Sequence, residues 1–175
     1  YLTFFDPEAS GRFAWKYASD LPAEKFVGYL VLIDLSGQIG PKDEIQLSHL
    51  QPFEGKIGKD SVVFIRTDYS KKHRTLEPSQ AYYDNSPTLS KEAAEWLVKK
   101  GIKTVGADVR TLDPAYAGRS VGYNIREIFN KAGVLVVEDL ANLGELKRQH
   151  NFAITGMPLG VRGVTGGPAR VFVID

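Results

Sequence analysis

The run Val134-Leu-Val-Val137, entered through Gly133 and closed by Glu138, constrains this chain more than any other stretch. Four consecutive apolar residues, three of them β-branched, predict a strand buried on both faces, as in a parallel sheet. Glu138 then stands where that strand ends. A carboxylate there is costly unless it is hydrogen-bonded, paired with a cation or bound to a metal, so Glu138 either closes the strand at a solvent edge or is a functional group. The same grammar occurs one unit earlier, where a helical stretch over 90–100 leads through Gly101 into Ile102–Ala107 and then Asp108. Two successive βα units thus carry acids at equivalent ends. Parallel sheets bind ligands near such carboxyl ends, which predicts that Asp108 and Glu138 face one pocket.

The rest of the chain reads as one α/β domain. Its 175 residues are 43% hydrophobic, enough for a single core. A net charge of +1, from 22 basic and 21 acidic residues, gives no bulk attraction for nucleic acid. The absence of Cys excludes disulfides and thiolate metal sites, so any metal would be held by His, Asp or Glu. No apolar run reaches the length of a membrane span and no basic-then-apolar leader precedes the fold, so a soluble, cytoplasmic protein is expected. The chain begins at Tyr1, its one Met is Met157, and it is already strand-like at once, which predicts a single domain lacking its N-terminal segment.

Composition and spacing predict further strands at Tyr1–Phe5, Tyr29–Leu35 and Ser61–Thr67, a helical turn at Pro22–Phe26 and a short helix over Asp43–Leu50. Ser90–Lys100 is the clearest helix, with Ser90 placed to cap it, Glu92 in the first turn and Lys99-Lys100 before Gly101. Ile125–Lys131 is the next. Asp68–Thr88 lacks periodicity and reads as a long loop carrying Lys71-Lys72-His73-Arg74 and Tyr82-Tyr83; the basic tetrad is either a phosphate contact or a solvated tip. Arg12–Asp20 interleaves Phe13, Trp15 and Tyr17 with Arg12 and Lys16. Together with Tyr82-Tyr83 it is expected at a subunit interface or pocket wall, core packing being the alternative. Phe152–Asp175 holds two short strands and a Gly166-Gly-Pro turn. The three histidines, His49, His73 and His150, have no metal-ligand spacing, and Ser120-Val-Gly is not a nucleophile elbow.

Five ordered motifs resemble the cyclase family, which includes kynurenine formamidase and related metal-dependent hydrolases. They are Asp60-Ser-Val-Val-Phe-Ile-Arg-Thr67, Leu89-Ser-Lys-Glu-Ala-Ala-Glu-Trp-Leu97, Lys103-Thr-Val-Gly-Ala-Asp-Val109 with Asp113, Gly133–Leu143, and Met157-Pro-Leu-Gly-Val followed by Gly166–Val173. The resemblance implies a β/β/α swivelling arrangement with a mixed twisted sheet and packed helices, usually in a homodimer or homotetramer. It also implies a divalent ion, Zn²⁺ or Mn²⁺, held by an N-terminal His-rich element, a later His and a Glu. Glu138 matches that Glu. The later His falls on Arg126, which stays protonated and has no acceptor lone pair. The His-rich element is absent from the sequence, and its last His falls on or near Phe4.

Two functional classes follow, the first the reading that the resemblance implies and the second its alternative. One is a metal-dependent hydrolase of a formamide or cyclic amide, with Glu138 as a ligand only if the missing donors lie upstream of Tyr1. The other is a non-catalytic member in which an Arg126–Glu138 pair replaces the metal and the pocket, with Arg126, Asp108, Phe4 and Trp15 at its walls, takes a small amide or anion or supports an oligomer.

Overall fold

The computed structural model describes residues 2–3, 21–73, 79–119, 121–147, 150–155 and 166–174. Phe4, Trp15 and the rest of Arg12–Tyr17, with Arg74 and Met157–Val161, lie outside the described residues. In chain order the strands are β1 Leu2–Thr3, β2 Val27–Asp34, β3 Glu44–Ile45, β4 Val62–Arg66, β5 Thr88–Leu89, β6 Thr104–Ala107, β7 Leu135–Val137, β8 His150–Thr155, β9 Gly166–Gly167 and β10 Val171–Ile174. The helices are α1 Leu47–Leu50, α2 Tyr69–His73, α3 Gln80–Asp84, α4 Lys91–Lys99 and α5 Ile125–Lys131.

β2, β4, β6 and β7 run parallel and side by side, and they are the apolar strands expected from sequence. Around them the sheet is completed antiparallel, in the order β10-β8-β2-β4-β6-β7-β1-β9. Each central strand buries both faces. Val31, Ile33, Val63, Ile65, Val105 and Val136 pack towards α4 and α5, where Ala93, Ala94, Leu97, Ile125 and Phe129 meet them. Leu30, Leu32, Phe64, Leu135 and Val137 form a second cluster on the other face, with Leu140 and Leu143. Gly106 lets that second layer come close: a Cβ there would lie 2.8 Å from a Leu140 methyl and 2.9 Å from the Phe64 ring.

α4 starts where its cap was expected, the Ser90 hydroxyl accepting a hydrogen bond from the Ala93 amide at 3.2 Å. Gly101 follows in the left-handed conformation, with φ +73°. Two stretches differ from expectation. Asp43–Leu50 is a bridge before it is a helix, because Ile45 sits in β3 opposite Leu89 of β5, both fully buried, and only Leu47–Leu50 is helical. Asp68–Thr88 contains α2, α3 and β5 rather than one long loop. Its order comes from contacts distant in sequence, chiefly Tyr69 stacked on Tyr82 with ring centroids 5.4 Å apart, which a search for local period does not detect.

Candidate functional site at the carboxyl edge of the parallel strands

Glu138 leaves the end of β7 fully buried. Its Oε1 accepts hydrogen bonds from the Thr111 hydroxyl at 2.9 Å and the Leu112 amide at 3.0 Å, and its Oε2 accepts one from the Arg126 guanidinium. The expected meeting of Arg126 and Glu138 is thus present. Arg126 is placed by the first turn of α5, whose cap Asn124 accepts from the Glu127 amide at 2.8 Å. Asp113 then ties that turn to the preceding segment, accepting from the Arg126 amide at 3.1 Å and the Ala115 amide at 2.9 Å. A charge-assisted, hydrogen-bonded carboxylate of this kind is stable in the interior without an ion.

Asp108, at the end of β6, is buried and turned to its neighbour β4. It accepts from the Thr67 amide at 2.7 Å, the Thr67 hydroxyl at 2.8 Å and the Asp68 amide at 2.7 Å. Burial raises its pKa above the usual carboxylate value, and the Thr67 and Asp68 hydrogen bonds oppose that rise. Among the described residues the two acids line different clefts. Asp108 lines a cleft of about 160 Å³ with Asp68, Ser70 and Lys71, whereas Glu138 lines a cavity of about 400 Å³ with Phe64, Val137 and Val173. The segment from Leu140 to Leu143 lines both. The expected single pocket thus corresponds, among the described residues, to two clefts that adjoin along this segment. Each carboxylate is drawn to the nearest unpaired backbone amides, and these lie on different elements.

Sequence reasoning missed the residue after Glu138. Asp139 holds a left-handed backbone, φ +58°, and accepts from the Tyr82 hydroxyl at 2.5 Å; the Ser70 and Tyr82 hydroxyls are 2.8 Å apart. Arg110 approaches the other Asp139 oxygen at 4.0 Å and lies over the Tyr83 ring at 4.8 Å from its centroid. Tyr82 is accordingly interior, not an interface residue, because its ring is stacked and its hydroxyl is satisfied. An acid doubled at a strand end was the available signal. Beside this group Arg66 grips Asp68 through two hydrogen bonds, of 2.8 and 3.0 Å, and Asp34 through a third, of 2.9 Å. Gly144 leaves room for that guanidinium, since a Cβ there would come within 2.9 Å of it. Of the basic tetrad, Lys71, Lys72 and His73 are exposed.

A divalent ion does not fit the donors at Glu138. Both of its oxygens are engaged by hydrogen-bond donors, and the nearest is a permanent cation. Among the described residues no group of three or more His, Asp or Glu is arranged to hold a metal. His49 accepts from the Gln46 amide at the start of α1, and the His73 ring lies tilted by 35° against the Tyr69 ring, 4.8 Å between centroids.

The Cyclase family model matches residues 4–114, and the chain belongs to that family. It is 23% identical over 158 residues to the kynurenine formamidase of Bacillus cytotoxicus, covering 90% of this chain and 68% of that protein. Isatin hydrolase A from Labrenzia aggregata, solved with benzyl benzoate, superposes with a TM-score of 0.78 at 26% identity, over 97% of this chain and 70% of that one. A protein from Bacillus stearothermophilus described as a predicted metal-dependent hydrolase superposes at 0.69 with 22% identity, over 98% and 73%. The mixed α/β fold is that of these structures, and the sequence is similar to hydrolases.

Proposed function

We propose that this chain is a cyclase-family protein that binds a formamide or cyclic amide and leaves it intact, with Arg126 standing against Glu138 where an ion would otherwise act. The observation that carries the reading is the saturation of Glu138 by Arg126, Thr111 and the Leu112 amide. A hydrolytic metal needs open acceptor donors and a coordination position for water, and this carboxylate offers neither in the arrangement described. The ligand class is taken from the names of the similar proteins, kynurenine formamidase and isatin hydrolase. A cavity of about 400 Å³ next to Glu138 is of the size that takes a bicyclic amide.

A second reading, metal-dependent hydrolysis of the same class, is favoured by that similarity across nine-tenths of the chain. It needs donors outside the described residues and a Glu138 released from Arg126. Calorimetric titration with isatin and with an N-formyl arylamine, followed by product analysis with and without added Zn²⁺ or Mn²⁺, separates the two. Binding with no product in either case supports the first reading. Metal-stimulated ring opening or deformylation overturns it.

A further inference from the structure

The cavity beside Glu138 has a second carboxylate on its wall, and the fold engages only one of its oxygens. Asp139 follows Glu138 directly, and its left-handed backbone, φ +58°, turns the two acids apart, Glu138 towards Arg126 and Leu112 and Asp139 towards Tyr82. The main chain there is fixed at both sides, the Asp139 amide donating to the Val109 carbonyl at 2.9 Å and the Leu140 amide to the Ala107 carbonyl at 3.0 Å. At the side chain the donors converge on Oδ1, which accepts from the Tyr82 hydroxyl at 2.5 Å and the Ser70 hydroxyl at 3.5 Å. Oδ2 accepts no hydrogen bond from a described residue: Arg110, whose guanidinium lies over the Tyr83 ring, stays 4.0 Å away. At that distance the two form an ion pair without a hydrogen bond.

A carboxylate with one oxygen fixed and the other open, on the wall of a cavity of about 400 Å³, can only accept, so it favours a ligand that brings a donor. Glu138 cannot do this, because Arg126, Thr111 and the Leu112 amide occupy both its oxygens. Glu145 and Arg170, the other charged residues on the wall, are exposed, and water competes for whatever they offer. Most of the remaining wall is apolar, with Phe64, Val137, Leu143 and Val171 among it. We propose that Asp139 determines specificity in this cavity, its Oδ2 accepting the N–H of a secondary aryl amide whose ring lies among those apolar side chains. The inference rests on the amide-binding reading above and deepens it, since it names the atom of the ligand that is read. An N-alkylated amide would cover Oδ2 without supplying a donor, and a buried acceptor left unpaired is what makes such a site reject its near-isosteres.

Calorimetric titration with isatin and N-methylisatin, which differ only at the nitrogen, tests this. The wild-type chain should bind isatin about tenfold or more tightly than N-methylisatin, the worth of one hydrogen bond to a charged acceptor. Asp139→Asn keeps an acceptor for Tyr82 and turns an NH₂ towards the cavity, so, with unchanged circular dichroism, it should weaken isatin by the same factor, leave N-methylisatin unaffected and bring the ratio of affinities close to one. A ratio that persists in Asp139→Asn shows that the methyl group is rejected by shape elsewhere, and overturns the proposal. Equal affinities in the wild-type chain also overturn it while leaving the amide-binding reading standing, and that comparison needs no variant to fold. Failure of both compounds to bind overturns the two together.

Discussion

Replacing Arg126 with Met removes the cation from a carboxylate that is fully buried. Breaking one partner of a buried pair costs about 3–5 kcal/mol, because the remaining charge has lost its compensation. Here the Thr111 hydroxyl and the Leu112 amide still reach Oε1, at 2.9 and 3.0 Å, and the Arg126 side chain is 19% exposed, so the lower end, about 3 kcal/mol, is expected. Adding Glu138→Gln removes the buried charge while keeping an acceptor for those two donors. The double variant should therefore lie within about 1 kcal/mol of wild type, about 2 kcal/mol more stable than Arg126→Met alone. Urea unfolding followed by tryptophan fluorescence reads both, the single variant shifting its midpoint by about 1 M. A single variant within about 0.5 kcal/mol of wild type, or a double variant as unstable as the single, would refute the view that Arg126 is the counterion on which Glu138 depends.

Gly106→Ala should destabilise by about 1–3 kcal/mol in the same assay, since its methyl group would overlap Leu140 and Phe64 in a closely packed layer. Arg66 holds Asp68 below the usual carboxylate pKa, mainly through its side-chain hydrogen bonds. A depressed carboxylate contributes stability that is present above its unfolded pKa and lost as pH falls through the folded one, so acid unfolding of Arg66→Met should show a shallower loss below about pH 4 than wild type. Equal slopes in the two proteins would remove Arg66 from that role. Asp108→Asn should cost about 2 kcal/mol at neutral pH, because an amide NH₂ cannot accept from the Asp68 amide.

The central fold was legible because its signals are local. Apolar runs entered by Gly and closed by an acid marked β6 and β7, apolar runs alone marked β2 and β4, and Ser90 with Gly101 marked α4. Glu138 was legible from the cost of burying a carboxylate at a strand end, and its pairing with Arg126 from the family resemblance, which put Arg126 at the position of a ligand histidine. What escaped depends on tertiary contact. The stacking of Tyr69 on Tyr82 orders a stretch with no period, and Ile45 joins a two-residue bridge that its helical spacing concealed. Asp108 and Glu138 occupy equivalent strand ends, yet the direction of each side chain is set by neighbouring amides, at Thr67 and Asp68 for one and Leu112 for the other. Strand grammar places an acid at an edge and does not say which way it turns.

The measurement that bears most directly on the account is the metal content of the purified chain after incubation with Zn²⁺ or Mn²⁺ and exhaustive dialysis. Among the described residues the guanidinium against Glu138 leaves no donor set for a tightly held ion there, so the proposed reading expects elemental analysis to find far less than one ion per chain, for Arg126→His as for wild type. One ion per chain that survives dialysis, is lost on Glu138→Gln and is removed by a chelator would show that Glu138 is a metal ligand after all, and would contradict the account.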